Sequence, residues 1–259
     1  MDLMQAYQTI EVTTDDTLHR IRFNRPEARN TINDQLIEEC HRALDSAESE
    51  ATVVIFEGSA EVFCFGADFQ GMQAAATAGG GPRVSHPESL YALWQRLATG
   101  PFVTVAHVRG LANAGGIGFV AASDIVIADA NARFSLSELL FGLLPACVLP
   151  FLIRRVGAQR AHYLTLMTLP IGADVALQWG LADAVGAESE TILRKHLLRL
   201  RRLSKPAVAR YKRYQAELSQ SLNSSKQHAI AANLEAFADR QNMEGILRYV
   251  ETGKFPWEP

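Results

Sequence analysis

Residues 103–138 read VTVAHVRGLANAGGIGFVAASDIVIADANARFSLSE, and this stretch decides the fold. An apolar run at 103–108 predicts a buried strand, and a turn of small residues follows it. The turn opens into a short predicted helix at Gly115. Two more apolar runs come next, and the second of them ends near a single carboxylate, Glu138. Strands that alternate with helices in this way predict an α/β arrangement.

The glycine turn has a physical property that suits chemistry. Two consecutive glycines, Gly115 and Gly116, let the backbone approach a ligand closely. A helix that begins there directs unsatisfied N–H groups, with partial positive charge, at whatever lies in front of it. That arrangement suits a developing oxyanion. The alternative is a tight strand-to-helix connection without a ligand, because a glycine-rich turn alone is a weak signal.

The composition is that of an ordinary globular protein, with 259 residues, 48% hydrophobic, 20% charged and a net charge of −3. The acidic balance argues against non-specific nucleic-acid binding. The three cysteines are odd in number and form no CxxC pair, so they indicate neither a metal site nor a disulfide framework. No signal peptide and no run long enough to span a membrane is visible. We therefore expect a cytoplasmic protein with no metal and no nucleic-acid or membrane partner.

The rest of the chain predicts further strands and helices around this stretch. Asn33 is a predicted N-cap, and the Ala/Gly-rich residues 74–87 predict a mobile loop. From about Glu190 onward the chain is helical, amphipathic and locally basic, either as a solvated face or as a docking surface for an acidic partner or a phosphate. Predicted strands cover 7–13, 18–23, 52–56 and 181–185, and predicted helices start near 33 and cover 88–98, 158–167 and 173–179.

A second bend precedes the central stretch. Residues 63–69 read FCFGADF, and the single glycine inside an apolar run, Gly66, marks a turn or a close backbone approach. Asp68 follows the bend directly. It is either the cap of the next helix or an acid placed beside a backbone turn.

Three separated motifs together resemble the crotonase (enoyl-CoA hydratase/isomerase) superfamily. They are IRFNRPEARNTIN at 21–33, FCFGADF at 63–69 and VRGLANAGG…SLSELLFGLLP within 108–145. The resemblance covers nearly the whole chain. It is closest to the crotonase homologues of bacterial polyketide β-branching cassettes, which dehydrate 3-hydroxy-3-methylglutaryl-acyl carrier protein to the 3-methylglutaconyl thioester. The ending RYVETGKFPWE at 248–258 is similar to that subgroup as well.

The resemblance implies a fold and an assembly. Residues 1–189 would form a spiral of repeated ββα units that contains the active site, and residues 190–259 a helical region that mediates formation of a trimer or a dimer of trimers. The implied partner is an acyl carrier protein. No separate cofactor is implied, since the substrate arrives on phosphopantetheine or on CoA.

The resemblance also implies the centre of the site. Family members hold the thioester oxygen between two backbone N–H groups, which by motif position are those of Ala67 and Gly115. Family hydratases carry two glutamates, of which the second matches Glu138 and the first falls on Gly118, which has no side chain. One carboxylate, Glu138, would then take the α-proton and pass it to the leaving hydroxyl. Family isomerases keep only the later acid, so an acyl-CoA hydratase or an enoyl-CoA isomerase is the alternative.

Further residues are predicted around this centre. Asp68 is either a second acid or structural, and Asn113 could orient the hydroxyl. Phe65 is expected to narrow the acyl pocket or to fill the core. Tyr91 and Trp94, one helical turn apart, are expected to line the acyl channel or to anchor their helix. Apolar neighbours predict a raised pKa for Glu138. His107 and Cys64 are interpreted as core residues. A catalytically silent scaffold of the same fold is a hypothesis from a different class.

Overall fold

The strands form two sheets, which a computed structural model describes within residues 7–77 and 86–259. All neighbouring strands are parallel except two antiparallel pairs, which are β1 (Ile10–Asp15) with β2 (Leu18–Phe23) and β8 (Arg133–Ser135) with β9 (Ile171–Gly172). The six-stranded sheet runs in the order β1 (Ile10–Asp15), β2 (Leu18–Phe23), β3 (Val53–Glu57), β5 (Val103–Val108), β7 (Ile125–Asp129) and β10 (Ala184–Gly186). The four-stranded sheet runs in the order β4 (Val62–Cys64), β6 (Leu111–Asn113), β8 (Arg133–Ser135) and β9 (Ile171–Gly172).

Three consecutive strand pairs follow the same path, which confirms the predicted spiral of ββα units. In the pairs β3/β4, β5/β6 and β7/β8, the first strand joins the larger sheet and the second joins the smaller one. Helices follow each pair: α2 (Phe69–Thr77) and α3 (Pro87–Thr99), then α4 (Gly115–Ala122), then a 3-10 helix (Glu138–Phe141) and α5 (Leu149–Val156). The smaller sheet therefore brings the segments after β4, β6 and β8 to one edge.

The other helices pack around these units. The first α-helix begins after Asn33, whose side chain accepts a hydrogen bond from the N–H of Leu36, as the predicted N-cap requires. The remaining helices are α1 (Asp34–Glu50), α6 (Ala158–Met167), α7 (Ala173–Trp179), α8 (Ser189–Leu200), α9 (Lys205–Leu218), α10 (Ser221–Ala238), α11 (Arg240–Thr252) and a 3-10 helix (Pro26–Ala28). Within the described ranges, none of them has the length and the apolar character that a membrane crossing requires.

The predicted loop at 74–87 is wrong in part. Residues 74–77 continue α2, and Pro87 begins α3, because proline at the first turn of a helix loses no hydrogen bond there. Alanine is also the best helix former, which favours the extension of α2 through the alanine run. The remainder of this prediction, 78–85, lies outside the described residues.

Residues 190–259 pack against the spiral at several places, two of which are apolar clusters. Leu193, Leu197 and Leu200 of α8 cover one face of the larger sheet. Helices α10 and α11 pack with Phe141 of the 3-10 helix in a separate apolar cluster. The predicted boundary at 189 therefore does not separate two independently packed bodies. That this region forms a trimer interface stays a prediction.

The basic side chains of this region divide into two groups. Arg194, Arg202 and Arg213 are exposed, as a solvated or docking face requires. Lys212 is buried, and its ammonium group lies 2.6 Å from Oδ1 of Asp124. Lys205 donates to the carbonyl groups at the end of α1. Part of the predicted basic face is therefore used to attach α9 to the core.

Candidate active site

The bend after β4 presents one backbone N–H to a cavity. Gly66 has φ +98°, which lies in the region that favours glycine. A parallel bridge pairs Ala67 with Ile32. The N–H of Ile32 donates to the carbonyl of Gly66 at 2.7 Å, and the carbonyl of Ile32 accepts from the N–H of Asp68 at 3.2 Å. The N–H of Ala67, between these two bonds, points to the opposite side of the chain. Ala67 lines the cavity.

The glycine turn brings a second backbone N–H to the same place. Ala114 has φ 49° and ψ −120°, a conformation that costs a non-glycine residue about 1–3 kcal/mol, and a bond from its N–H to the carbonyl of Ser135 holds it there. Helix α4 then begins at Gly115, which lines the cavity. A Cβ added to Gly66 would lie 3.4 Å from the nitrogen of Gly115. The two predicted oxyanion donors therefore lie on adjacent segments rather than on opposite walls.

Glu138 supplies the carboxyl group of the cavity. It begins the 3-10 helix after β8, and its Oε2 atom is buried with no hydrogen-bond partner in the part of the chain that the structure describes. Burial raises the pKa of Glu138 to about 7, although hydrogen bonds from the backbone N–H groups of Glu138 and Ser137 oppose the rise. A carboxyl group with this pKa exchanges a proton readily near neutral pH. The predicted rise in the pKa of Glu138 is confirmed.

The cavity has a volume of about 310 Å³ and a predominantly apolar wall. Its lining comes from the spiral and also from the end of the chain. The residues after 189 that line it are Asn233, Phe237, Tyr249 and Phe255. The prediction that residues 1–189 hold the active site is therefore too narrow. Phe255 packs at 5.7 Å from the ring of Phe141, so the chain end closes the cavity on one side.

Asp68 is engaged in structural contacts. Its Oδ2 accepts a hydrogen bond from Arg25 at 2.8 Å, and its Oδ1 accepts from the N–H of Gly71 at 3.0 Å in the first turn of α2. It does not line the cavity. This placement favours the helix-cap interpretation and corrects the prediction of a catalytic role.

Asn113 lines the cavity, but both hydrogens of its side-chain amide are donated to other groups of the protein. Nδ2 donates to the carbonyl of Phe65 at 3.2 Å and to Oγ of Ser137 at 2.9 Å, and Oδ1 accepts from Ser135 at 2.6 Å. These bonds join the bend after β4 to the segment that carries Glu138. That Asn113 also contacts the substrate stays a prediction, and its amide has no further hydrogen to donate.

Phe65 and Tyr91 have different surroundings. Phe65 lines the cavity, and the guanidinium of Arg29 lies 3.5 Å from the centre of its ring. Tyr91 does not line the cavity; its hydroxyl donates to the carbonyl of Leu222 at 2.7 Å. The prediction that Tyr91 lines the acyl channel is therefore corrected, since it anchors α3 to α10.

Trp94 lines the cavity from α3, together with Pro87 and Leu90 of the same helix. Its indole fills the space beside Gly118, where an added Cβ would lie 2.3 Å from Cζ2 of the ring. The place of the glutamate that family hydratases carry is thus occupied by an aromatic ring from another helix. The sequence signal for this exchange of a glutamate for an aromatic ring consists of a glycine on α4 and a tryptophan on α3. No local sequence pattern connects these two residues.

His107 belongs to a separate buried cluster, as its interpretation as a core residue requires. Its Nδ1 lies 2.8 Å from Oε1 of Glu57, and its Nε2 lies 3.0 Å from Oγ of Ser189. Glu190 brings a third potential metal ligand to this group. The guanidinium of Arg20 also bonds Glu57 at 2.9 Å, so this carboxylate already has a cationic partner. These contacts attach the start of α8 to the larger sheet.

Comparisons with known proteins place the chain in one family. The sequence profile of the family described as enoyl-CoA hydratase/isomerase matches residues 13–259. Over all 259 residues the chain is 58% identical to bacillaene synthase dehydratase PksH of Bacillus subtilis (strain 168), covering 99% of that protein. A crystal structure from B. subtilis, of a putative polyketide biosynthesis enoyl-CoA hydratase (pksH), superposes with a TM-score of 0.94 at 57% identity, covering 97% of this chain and 100% of that chain.

More distant structures share the fold. An enoyl-CoA hydratase/isomerase from Xanthobacter autotrophicus Py2 has a TM-score of 0.85 at 23% identity, covering 96% of this chain and 95% of that one. The profile match, the full-length similarity and the shared fold agree with the motifs. The chain belongs to the enoyl-CoA hydratase/isomerase, or crotonase, family.

Proposed function

We propose that the protein dehydrates 3-hydroxy-3-methylglutaryl-acyl carrier protein to 3-methylglutaconyl-acyl carrier protein in polyketide β-branching. The observation that carries the proposal is the carboxyl group of Glu138, whose buried Oε2 atom has no hydrogen-bond partner among the described residues and which shares a cavity with Ala67 and Gly115. A group of this kind can hold or release a proton near neutral pH, and the two backbone N–H groups can stabilise an enolate.

The reaction follows from these three groups. The carboxylate of Glu138 takes the α-proton, and the electron pair of the broken C–H bond moves onto the thioester oxygen as an enolate. The N–H groups of Ala67 and Gly115 hold that oxygen, and each such donor contributes about 2.7–4 kcal/mol of transition-state stabilisation. The enolate collapses to form the double bond, the C–O bond at the β-carbon breaks, and Glu138 returns its proton to the oxygen, which leaves as water.

One carboxyl group serves both proton transfers. The position of the second glutamate of family hydratases is Gly118, and the indole of Trp94 fills the adjacent space. Both events must then occur on the face of the acyl group that Glu138 reaches, which makes the elimination syn. The wall of the cavity around this carboxyl group is mostly apolar, so it offers few other groups that could take the proton from Glu138.

The similarity to bacillaene synthase dehydratase PksH supports a dehydration within polyketide synthesis, because it extends over the full chain at 58% identity. It also supports an acyl carrier protein as the partner. We propose that the exposed arginines of α8 and α9 contact an acidic surface of that carrier, and that the helical region 190–259 forms the trimer.

The direct test is mass spectrometry of 3-hydroxy-3-methylglutaryl carrier protein after incubation with the enzyme. Loss of one water is the expected result. Glu138→Gln is expected to lower the rate by at least about 100-fold, as loss of an acid–base group does, whereas the exposed Glu61→Gln serves as a matched control with unchanged rate. Unchanged substrate with wild-type enzyme, or full activity of Glu138→Gln, would contradict the proposal.

A second candidate is an enoyl-CoA isomerase, which the single acid at Glu138 also favours. Such an enzyme would move a proton from one carbon of the acyl chain to another through the same enolate. Incubation with a β,γ-unsaturated acyl-CoA tests it. Conversion to the α,β-isomer faster than the dehydration of the carrier-bound substrate would favour the isomerase.

A further inference from the structure

Two side chains that line the cavity carry a buried polar atom with no partner within the described residues. One is Oε2 of Glu138, and the other is Nε1 of Trp94. A buried N–H group without an acceptor is rare in folded proteins, because burial without a hydrogen bond costs its full desolvation. Glu138 has a chemical use for its free oxygen. The free N–H of Trp94 calls for a comparable explanation.

The indole lies along the face of α4 that begins with the oxyanion donor. Gly115 and Gly118 are three residues apart and therefore share that face. Cζ2 of Trp94 lies 2.3 Å from the position of a Cβ on Gly118 and 3.9 Å from that of a Cβ on Gly115. Cε2, which carries Nε1, lies 2.4 Å from the Cβ position of Gly118. The free N–H is therefore attached to the ring atom that takes the place of a side chain at 118.

We propose that Nε1–H of Trp94 donates a hydrogen bond to the β-hydroxyl oxygen of the substrate and holds it toward Glu138. This proposal rests on the proposed function and names the group that recognises the hydroxyl. The amide of Asn113, which also lines the cavity, already donates both its hydrogens within the protein. Ring contacts with Phe119 and Phe151, each at 5.9 Å between centroids, fix the orientation of the indole.

The distance along the acyl chain selects the hydroxyl over the distal carboxylate. The thioester oxygen is placed at Gly115, beside the indole. The carbon that carries the hydroxyl is two bonds from the thioester carbon, whereas the carbon of the distal carboxylate is four bonds away. A single neutral donor also offsets little of the cost of burying an unpaired carboxylate.

The role assigned to Trp94 is positioning without proton transfer. Indole is a hydrogen-bond donor only and keeps its proton. The α-proton therefore goes to Glu138 and then to the hydroxyl oxygen, while the electron pair of the C–O bond leaves with the water. The hydrogen bond from Trp94 holds one side of that oxygen and leaves a lone pair for the proton from Glu138.

Ligand binding to inactive enzyme tests the proposal. In Glu138→Gln, the dissociation constants of 3-hydroxy-3-methylglutaryl pantetheine and of 3-methylglutaryl pantetheine, which lacks the hydroxyl, are measured with and without Trp94→Phe. Phenylalanine keeps an aromatic ring and removes the donor. We expect about a tenfold loss of affinity for the hydroxylated ligand and less than about a twofold loss for the other. Equal losses, or no loss for either, would overturn the proposal.

A third ligand separates the hydroxyl from the carboxylate. 3-Hydroxy-3-methylbutyryl pantetheine keeps the hydroxyl and lacks the distal carboxylate. The loss caused by Trp94→Phe is expected to persist at about tenfold with this ligand. Disappearance of the loss would show that the donor serves the carboxylate, and the proposal would be wrong.

A spectroscopic measurement needs no change at Trp94. The chain has three tryptophans, so indole N–H signals of nitrogen-15-labelled Glu138→Gln enzyme are assigned with Trp179→Phe and Trp257→Phe. The Trp94 signal is expected to shift with the hydroxylated ligand and to stay in place with 3-methylglutaryl pantetheine. The same shift with both ligands would overturn the proposal. If wild-type enzyme does not dehydrate the substrate at all, the proposed function itself fails, which is a different outcome.

Discussion

Replacement of Glu138 by glutamine is expected to stabilise the protein at alkaline pH while it removes the acid–base group. Burial raises the pKa of Glu138 from its ordinary value of 4.5 to about 7, so the folded protein keeps a proton that the unfolded chain releases. For a carboxyl group with a raised pKa, the associated stability is complete below the unfolded pKa. It is lost as the pH rises through the folded pKa.

The magnitude follows from the same two values. A rise from 4.5 to about 7 corresponds to about 3 kcal/mol lost above neutral pH, since one pKa unit equals about 1.4 kcal/mol. Glutamine imitates the neutral acid and does not titrate. Between about pH 5 and about pH 8, the stability of Glu138→Gln relative to wild type is expected to increase by about 2.5 kcal/mol, or by about 5–10 °C in melting temperature.

Urea unfolding of both proteins at the two pH values measures this difference, and the comparison cancels any fixed cost of packing the amide. Glu57→Gln is the matched control. Burial alone would raise the pKa of Glu57, but the hydrogen bond from His107 and the charge of Arg20 outweigh it and hold that pKa below its usual value. The stability that ionised Glu57 contributes is therefore present above its unfolded pKa. Glu57→Gln should remove a similar amount of stability at both pH values. A difference between wild type and Glu138→Gln that does not change with pH would refute the reasoning.

Three other predictions concern catalysis and packing. The rate of dehydration in single turnovers should rise as the pH increases through about 7, because the carboxyl group must be ionised to take the α-proton; a rate that falls over this range would contradict that order of steps. Gly118→Ala places a Cβ within 2.3 Å of the indole and should lower stability by about 1–3 kcal/mol in urea unfolding. In the control Gly245→Ala the Cβ meets the ring of a proline at 3.0 Å, and this change should be neutral or stabilising. Equal effects of the two changes would mean that the indole moves aside at little cost. Lys212→Met leaves Asp124 without its buried partner and should lower the free energy of unfolding by about 3–5 kcal/mol. Adding Asp124→Asn should restore part of that stability in a double-mutant cycle. An additive loss would argue against a coupled pair.

Much of the fold could be predicted because its boundaries carry local signals. The strand at 103–108 and the helices at 158–167 and 173–179 have the predicted bounds, since prolines and glycines flank them. The spiral itself has no fixed sequence period. Its units begin at Val53, Val103 and Ile125, and the segments inserted between the strand pairs differ in length. The family motifs predicted it, whereas periodicity did not.

The roles of individual residues depended on partners far along the chain. Tyr91 and Trp94 share a face of α3, yet only Trp94 lines the cavity, because Leu222 of a distant helix covers Tyr91. The role of Asp68 depends on Arg25, which is 43 residues away. Strand β6 lies inside the small-residue turn and has only three residues, too few for a period-2 pattern. Local sequence patterns cannot reveal such pairings.

Residues 233–255 close the cavity on one side, so the choice of acyl chain and the reacting geometry depend on different parts of the enzyme. The groups proposed to handle the proton and the oxyanion lie on turns of the spiral, whereas Phe237, Tyr249 and Phe255 line the cavity from helices and a tail that contribute no strand. Substitutions in that final segment can therefore alter which acyl chains are accepted while the reacting geometry stays intact. Phe255 is held in this wall by stacking on Trp257 at 4.7 Å, so a change at Trp257 would act on the acyl pocket without touching the cavity itself.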